Sequence, residues 1–361
     1  MHRWKQASLA VLVGGLVLAP ALPGAQAARR GQRAQLPLSQ LVGQHLMGTF
    51  TGTRPSAELL SRIERGRLGA VILRGQNISS PSSLRATIAE LQRAAQAGGQ
   101  PPLLVAIDQE GGTVKRLASA PPYQSAAELG ASGDGAQARA AGLATGRSLR
   151  SVGVNVDFAP VLDVAASARS FLGSRTFGRD PATVEQAGVA FADGLEAAGI
   201  ASTAKHFPGL GTAPANTDGS DVTVKTSRAE LIRRLAPFRA AIDSGVRLVM
   251  VSSARYPALD SQRLPALLSP AIVDDLLRRQ LGFRGVVVTD TMGAPSVVPF
   301  PLAPARAIRA GVDLLLYPQS EKASSDAFVV LIRAARSGAV SRAALRTSYD
   351  RILRLKSSLQ R

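Results

Sequence analysis

Apolar residues in this chain come in short blocks, separated by longer stretches with helical periodicity. The blocks His45–Phe50, Ala70–Leu73, Leu103–Ile107, Val154–Phe158, Ala201–Ala204, Leu248–Ser252, Val286–Thr289 and Asp313–Leu316 are rich in Val, Ile and Leu. Most lack polar alternation, which suits parallel strands covered on both faces. Between them, amphipathic patterns predict helices over Ser56–Arg65, Leu84–Ala97, Asp134–Val152, Pro181–Ala198, Ser227–Ser244, Ser269–Leu281 and Ala303–Ala310. Two more, Ser324–Ser337 and Ser341–Ser358, close the chain. Ser227 with Glu230 three residues on predicts a capping box. Ser269-Pro270 predicts a cap followed by proline at the first helical position.

Eight strands, each with a helical crossover, predict an α/β fold, a single (β/α)8 TIM-like barrel. A doubly wound open sheet is the alternative, and it would gather its ligand residues at one switch point. Here polar residues follow many different strands. Asp108 follows the third, Asp157 and Asp163 lie around the end of the fourth, and Lys205 and His206 follow the fifth. Ser253 follows the sixth and Asp290 the seventh. Convergence of such groups at one rim favours the barrel.

Length and composition add limits. The chain has 361 residues, 45% of them hydrophobic, enough for a large core. Residues 1–27 read as an export signal: Arg3 and Lys5, an apolar run from Ala7 to Leu18, then Ala25-Gln26-Ala27 as the cleavage site. Residues 28–36 read as a basic linker, and 37–361 as the barrel domain. The expected location is secreted or periplasmic, and no stable membrane span is expected. Cysteine is absent, which excludes disulfides and a thiol nucleophile. Net charge is +18, carried mostly by arginine because only six of the 43 basic residues are lysine. That charge allows electrostatic association with an anionic cell wall. Nucleic acid is not an expected partner, because the basic residues are scattered over helix faces.

Candidate chemistry sits at the strand ends. Asp290 ends the run Gly285–Thr289, and a carboxylate there needs partners or a task. It reads equally as a turn cap or as a nucleophile for glycosyl transfer. Asp108-Gln109-Glu110-Gly111-Gly112 places a carboxylate before two glycines that permit close ligand approach. Arg116 and Arg175 supply forked donors to a ligand or to ion pairs. Lys205 and His206 would normally face opposite sides of a strand, so both reach one site only if the strand has broken before them. Beyond the signal the histidines are His45 and His206, so a three-histidine zinc site is excluded.

Five motifs occur in order: Ile107–Gly112, Asn155–Val164, Gly173–Phe177, Lys205–Gly209 and Val288–Asp290. Together they resemble glycoside hydrolase family 3, in its single-domain β-N-acetylhexosaminidase branch, from about Leu38 onward. The resemblance implies a TIM-like barrel and a retaining glycosidase with no cofactor and no metal. It implies that Asp290 is the nucleophile, and that Asp108, Arg116, Arg175, Lys205 and His206 hold a terminal amino sugar. The implied substrate is a small carbohydrate, such as a muropeptide fragment or another β-linked N-acetylhexosaminide. Three departures stand out. Leu210 occupies the first histidine of the family's Lys-His-Phe-Pro-Gly-His-Gly, and Asn216-Thr217-Asp218 replaces its Asp-Ser-His. Ser253 stands for a histidine after strand six, and the loop at Thr291-Met292-Gly293-Ala294 is short. With the usual acid/base histidine gone, Asp218 is the candidate, provided burial or a neighbouring carboxylate raises its pKa, and Asp221 is the nearest other candidate. The alternatives are a catalytically impaired sugar-binding or wall-binding homologue and a β-glucosidase-type exo-glycosidase. Aromatics are 4% of the chain, which favours a small polar pocket over a stacking cleft. Phe207 is expected in the core, and Tyr256 is a candidate platform.

Overall fold

The computed structural model describes residues 1–2 and 36–360. The expected signal and linker therefore fall, from residue 3 to residue 35, outside the described residues. The folded body begins at Pro37.

Parallel strands carry the framework, and each apolar block of the sequence overlaps one. They are β1 (Leu46–Gly48), β2 (Ala70–Leu73), β3 (Leu104–Ile107), β6 (Val156–Asp157), β7 (Thr203–Phe207), β8 (Leu248–Val251), β9 (Val286–Thr289) and β10 (Leu315–Leu316). Between β3 and β6 lies a small antiparallel hairpin, β4 (Gln109–Gly111) and β5 (Val114–Lys115). One sheet runs β10-β1-β2-β3-β6 and the other β7-β8-β9. Single parallel bridges, Val156↔Ala201 and Val288↔Leu314, link the two sheets at either flank. The result is an α/β architecture with a curled parallel sheet. Every residue of the eight parallel strands is buried, which explains why they read as unbroken apolar runs.

The inner core draws on both sheets, with Met47, Ile72, Ala106, Phe158, Met250, Val288 and Leu316 in one cluster. Ile352 and Leu355, on the helix Arg342–Ser358, join it. Asp313, wholly buried just before β10, ties that helix to the sheet. It accepts hydrogen bonds from Ser348 Oγ (2.7 Å), Arg351 Nε (2.9 Å) and the Val287 amide (2.9 Å), and from Arg278.

Helix starts follow local chemistry. Ser56, Ser80, Asp180 and Ser341 each accept a backbone amide of the first turn, and proline follows at position 81 and at position 181. The expected helix over Ser227–Ser244 is two helices, Arg228–Arg234 and Ala236–Ser244. Pro237 lacks an amide donor and its ring conflicts with the carbonyl four residues back, so the first helix ends. Ser227 caps it, but Glu230 turns to Arg234 (2.6 Å) rather than back to the cap. Strand five also differs from expectation. It runs through Phe207 instead of stopping at Ala204, with a register shift between Ala204 and Phe207 and a cis peptide between Lys205 and His206.

Candidate active site

At the C-terminal ends of the strands lies a cavity of about 670 Å³. Its wall includes Asp108, Arg116, Arg175, Lys205, His206, Asp218 and Asp290, all seven residues singled out from the sequence. Lys205 and His206 both face it although they are adjacent on β7. The strand has not broken before them; its register slips there instead.

One wall is a chain of alternating charge. Lys205, buried, places Nζ 2.9 Å from Asp108 Oδ1 and 2.6 Å from Glu110 Oε1. Arg175 grips Glu110 with two bonds, Nε–Oε2 at 2.8 Å and Nη2–Oε1 at 2.9 Å. Arg116 lies 3.8 Å from Asp108 Oδ2, a looser pair. Burial alone would raise the Glu110 pKa, but Lys205 and Arg175 outweigh it and hold the group at about 2. Burial pulls Lys205 down, and Asp108 and Glu110 more than restore it, so its pKa is raised. Beneath this wall Asp157 accepts the Gln109 amide (3.0 Å) and is pushed up to about 8 by burial. It is therefore mostly protonated at neutral pH. The Gln109 side chain bonds Leu117 and Pro121 across the hairpin, fixing the segment that carries Asp108 and Glu110.

A second wall is set by Asp163. Its Oδ2 is 2.7 Å from His206 Nδ1, and its Oδ1 accepts the Leu210 amide at 2.6 Å. That pairing turns His206 Nε2 away from Asp163. Gly211 presses so close to this segment that an added Cβ would sit 1.6 Å from the Val164 carbonyl oxygen. Leu210 thus presents an aliphatic side chain to the cavity.

Asp290, at the tip of β9, receives the Thr291 amide on Oδ1 at 2.7 Å. Burial raises its pKa; His206 lowers it, and the negative charge of Asp218 raises it further. Asp290 and Asp218 both line the cavity. Thr291 is held in turn by the Gln319 side-chain amide, which donates to Thr291 Oγ1. Asp218 sits on the exposed loop 212–221, with its amide bonded to Asn216 Oδ1 (3.0 Å).

Several expectations change. Asp221, the other acid/base candidate, does not line the cavity: Arg255 holds both its oxygens at 3.0 and 3.1 Å. Tyr256 is no sugar platform, because it is fully buried with its hydroxyl on the Gly209 carbonyl (3.1 Å). Phe207 packs edge-on against Phe238, in the core as expected. The aromatic rings in the cavity wall are Phe158 and Phe171. Ser253 is buried and away from the cavity, its Oγ without a hydrogen-bond partner. Glu110 and Gln319 complete the site without having been singled out for it, and Asp163, named among the strand-end groups, holds His206. Glu110 was within reach of sequence reasoning, since residues two apart on a strand share a face with Asp108.

This arrangement has counterparts in known proteins. Residues 34–355 match the Glycosyl hydrolase family 3 N terminal domain. An uncharacterized secreted glycosyl hydrolase of Arthroderma benhamiae is 35% identical over 89% of this chain and 94% of its own length. Beta-hexosaminidase A of Pseudoalteromonas piscicida is 32% identical over 90% of this chain, which spans only 62% of that protein. Among solved structures, a family 3 β-N-acetylglucosaminidase from Paenibacillus sp. superposes with a TM-score of 0.87 at 35% identity, covering 90% of this chain and 63% of that one. The β-N-acetylhexosaminidase from Beutenbergia cavernae gives 0.82 at 34% identity, covering 90% of this chain and 100% of that one. A match over this span, on a fold whose strand ends gather paired carboxylates, means that the chain belongs to glycosyl hydrolase family 3.

Proposed function

We propose that the chain is an exported, retaining exo-glycosidase that removes a terminal β-linked N-acetylhexosamine, chiefly N-acetylglucosamine, from cell-wall fragments or glycoconjugates. The observation that carries this reading is geometric: Asp290 and Asp218 line one cavity together with a fixed chain of hydrogen-bonding charges. The names of the relatives support the amino sugar. In the first step an ionised Asp290 oxygen bonds to the anomeric carbon as the glycosidic C–O bond breaks. Asp218, protonated, gives its proton to the departing oxygen. Water then adds to the anomeric carbon, the ester to Asp290 breaks, and Asp218 takes the proton back. Asp108, Arg116, Arg175, Lys205 and His206 hold the sugar hydroxyls and the acetamido group. We read the two sheets as one (β/α)8 barrel over 37–361, with the bridges at Val156↔Ala201 and Val288↔Leu314 as its seams. Export through the 1–27 signal and attraction of the basic surface to an anionic wall belong to the same reading.

A second reading is favoured by two observations, the exposure of Asp218 and the aliphatic Leu210 in the wall. In it the chain binds a sugar or wall fragment and turns nothing over. One experiment separates the two. Nitrophenol release from an aryl β-N-acetylglucosaminide is measured beside calorimetry with N-acetylglucosamine, with Asp290→Asn as control. Turnover lost in the control supports the hydrolase; binding without turnover supports the second reading. Turnover of the glucoside alone in a nitrophenyl panel would move the assignment to a β-glucosidase.

A further inference from the structure

We propose that a second cavity, at the opposite end of the strands, binds a phosphate-bearing ligand. It measures about 450 Å³ and lies where the chain enters β8 and β9, whereas the sugar pocket lies where the strands end. Four arginines line it, Arg247, Arg284, Arg351 and Arg354, over an apolar floor that includes Phe283 and Leu355. Two of the four are matched by acid. Arg247 Nε is 2.6 Å from Glu196, and Arg351 is 2.8 Å from Asp313. The other two, Arg284 and Arg354, are exposed and have no ion pair or hydrogen bond among the described residues. A third donor is also unused: Arg247 Nη1 is buried and without a hydrogen-bond partner.

Two unpaired, exposed guanidiniums in the wall of one cavity, beside an Arg247 whose buried Nη1 has no hydrogen-bond partner, leave a site short of acceptors. The excess of two positive charges matches a phosphate monoester dianion. Its three terminal oxygens can accept several guanidinium donors at once, and forked donors suit it better than ammonium groups would. The apolar floor suits the carbon stem that carries the phosphate. Two sources share that chemistry, a free phosphorylated metabolite and a phospholipid headgroup.

The test uses the described body with its natural N-terminal segment. Calorimetric titration with glycerol 3-phosphate, at matched ionic strength, is compared for the unaltered chain, Arg284→Ala/Arg354→Ala and Arg333→Ala/Arg336→Ala. The last pair removes the same charge from an exposed helix face. The expected result is one saturable site, weakened at least about tenfold in the first variant and unchanged in the second. Cosedimentation with phosphatidylglycerol vesicles, lost in the first variant alone, marks the headgroup as the source; soluble binding alone marks the metabolite. Absence of saturable binding overturns the proposal. So does equal weakening in both variants, which means diffuse attraction to a basic surface. Thermal midpoints of both variants check that the fold is intact.

Discussion

Replacing Glu110 by glutamine keeps the shape of the side chain and removes its charge. Glu110 is 2% exposed in its side chain and binds Lys205 and Arg175 at 2.6 to 2.9 Å. Its pKa of about 2, against an ordinary 4.5, means that the folded state favours the ionised form by about 3 kcal/mol. For an acid with a depressed folded pKa, that stability is fully present above pH 4.5 and fades as pH falls toward 2. The variant resembles the protonated form at every pH, and it leaves Lys205 with Asp108 alone. At pH 7 it is therefore expected to be about 3 kcal/mol less stable, with the gap closing as the pH falls toward 2. Urea unfolding of both proteins from pH 2.5 to 7 reads this directly, and the difference between them cancels the other carboxylates. On the proposed function the same change frees Arg175 and loosens the wall that would hold the sugar, so KM for an aryl N-acetylglucosaminide rises more than kcat falls. A gap below about 1 kcal/mol at pH 7 would show that the wall draws no stability from its internal pairing.

Three further outcomes are expected. Asp218→Asn lowers kcat by roughly two to four powers of ten on substrates with poor leaving groups, and much less on nitrophenyl glycosides, as loss of a proton donor requires; equal losses on both would assign Asp218 another task. In the proposed mechanism Asp290 acts ionised, and burial raises its pKa, so kcat/KM falls on the acid side at a pH above the ordinary aspartate range; a rate–pH profile flat down to pH 4 contradicts this. Lys356, buried with its ammonium donating to the Gln44 side-chain Oε1 (2.6 Å) and the Gly69 carbonyl (2.8 Å), is pulled down to about 7 by burial. In the unfolded chain it holds its proton up to about pH 10.5, so stability rises with pH between the two values by up to about 5 kcal/mol, and Lys356→Met removes that slope in urea unfolding.

Strands were the most legible part of the chain, for a physical reason. Burial on both faces leaves no polar alternation to confuse, and Ala70–Leu73 and Val286–Thr289 were read to the residue. Effects that depend on contact were harder to see. The split at Pro237 was written in the sequence but was outweighed by the helical periodicity around it. The hairpin Gln109–Lys115 has strands of two or three residues held by the Gln109 side chain, too short to leave a periodic trace. At the site, the motifs located each group on the rim, but they could not show which charges would pair. Arg175 was legible as a donor; that Glu110 occupies both its prongs is visible only in three dimensions. Asp221 was near Asp218 in sequence and was claimed by Arg255, a partner 34 residues away.

The paired cations and acids along the proposed sugar pocket make its ligand's capture respond to ionic strength in a particular way. Lys205 and Arg175 arrive already neutralised by Glu110 and Asp108, and dissolved ions barely screen contacts so deeply covered. An uncharged sugar entering there displaces no salt, so its capture is indifferent to salinity from dilute buffer to brine. Arg284 and Arg354, at the far end of the strands, lack such internal compensation, and whatever they attract will loosen as the medium grows saltier.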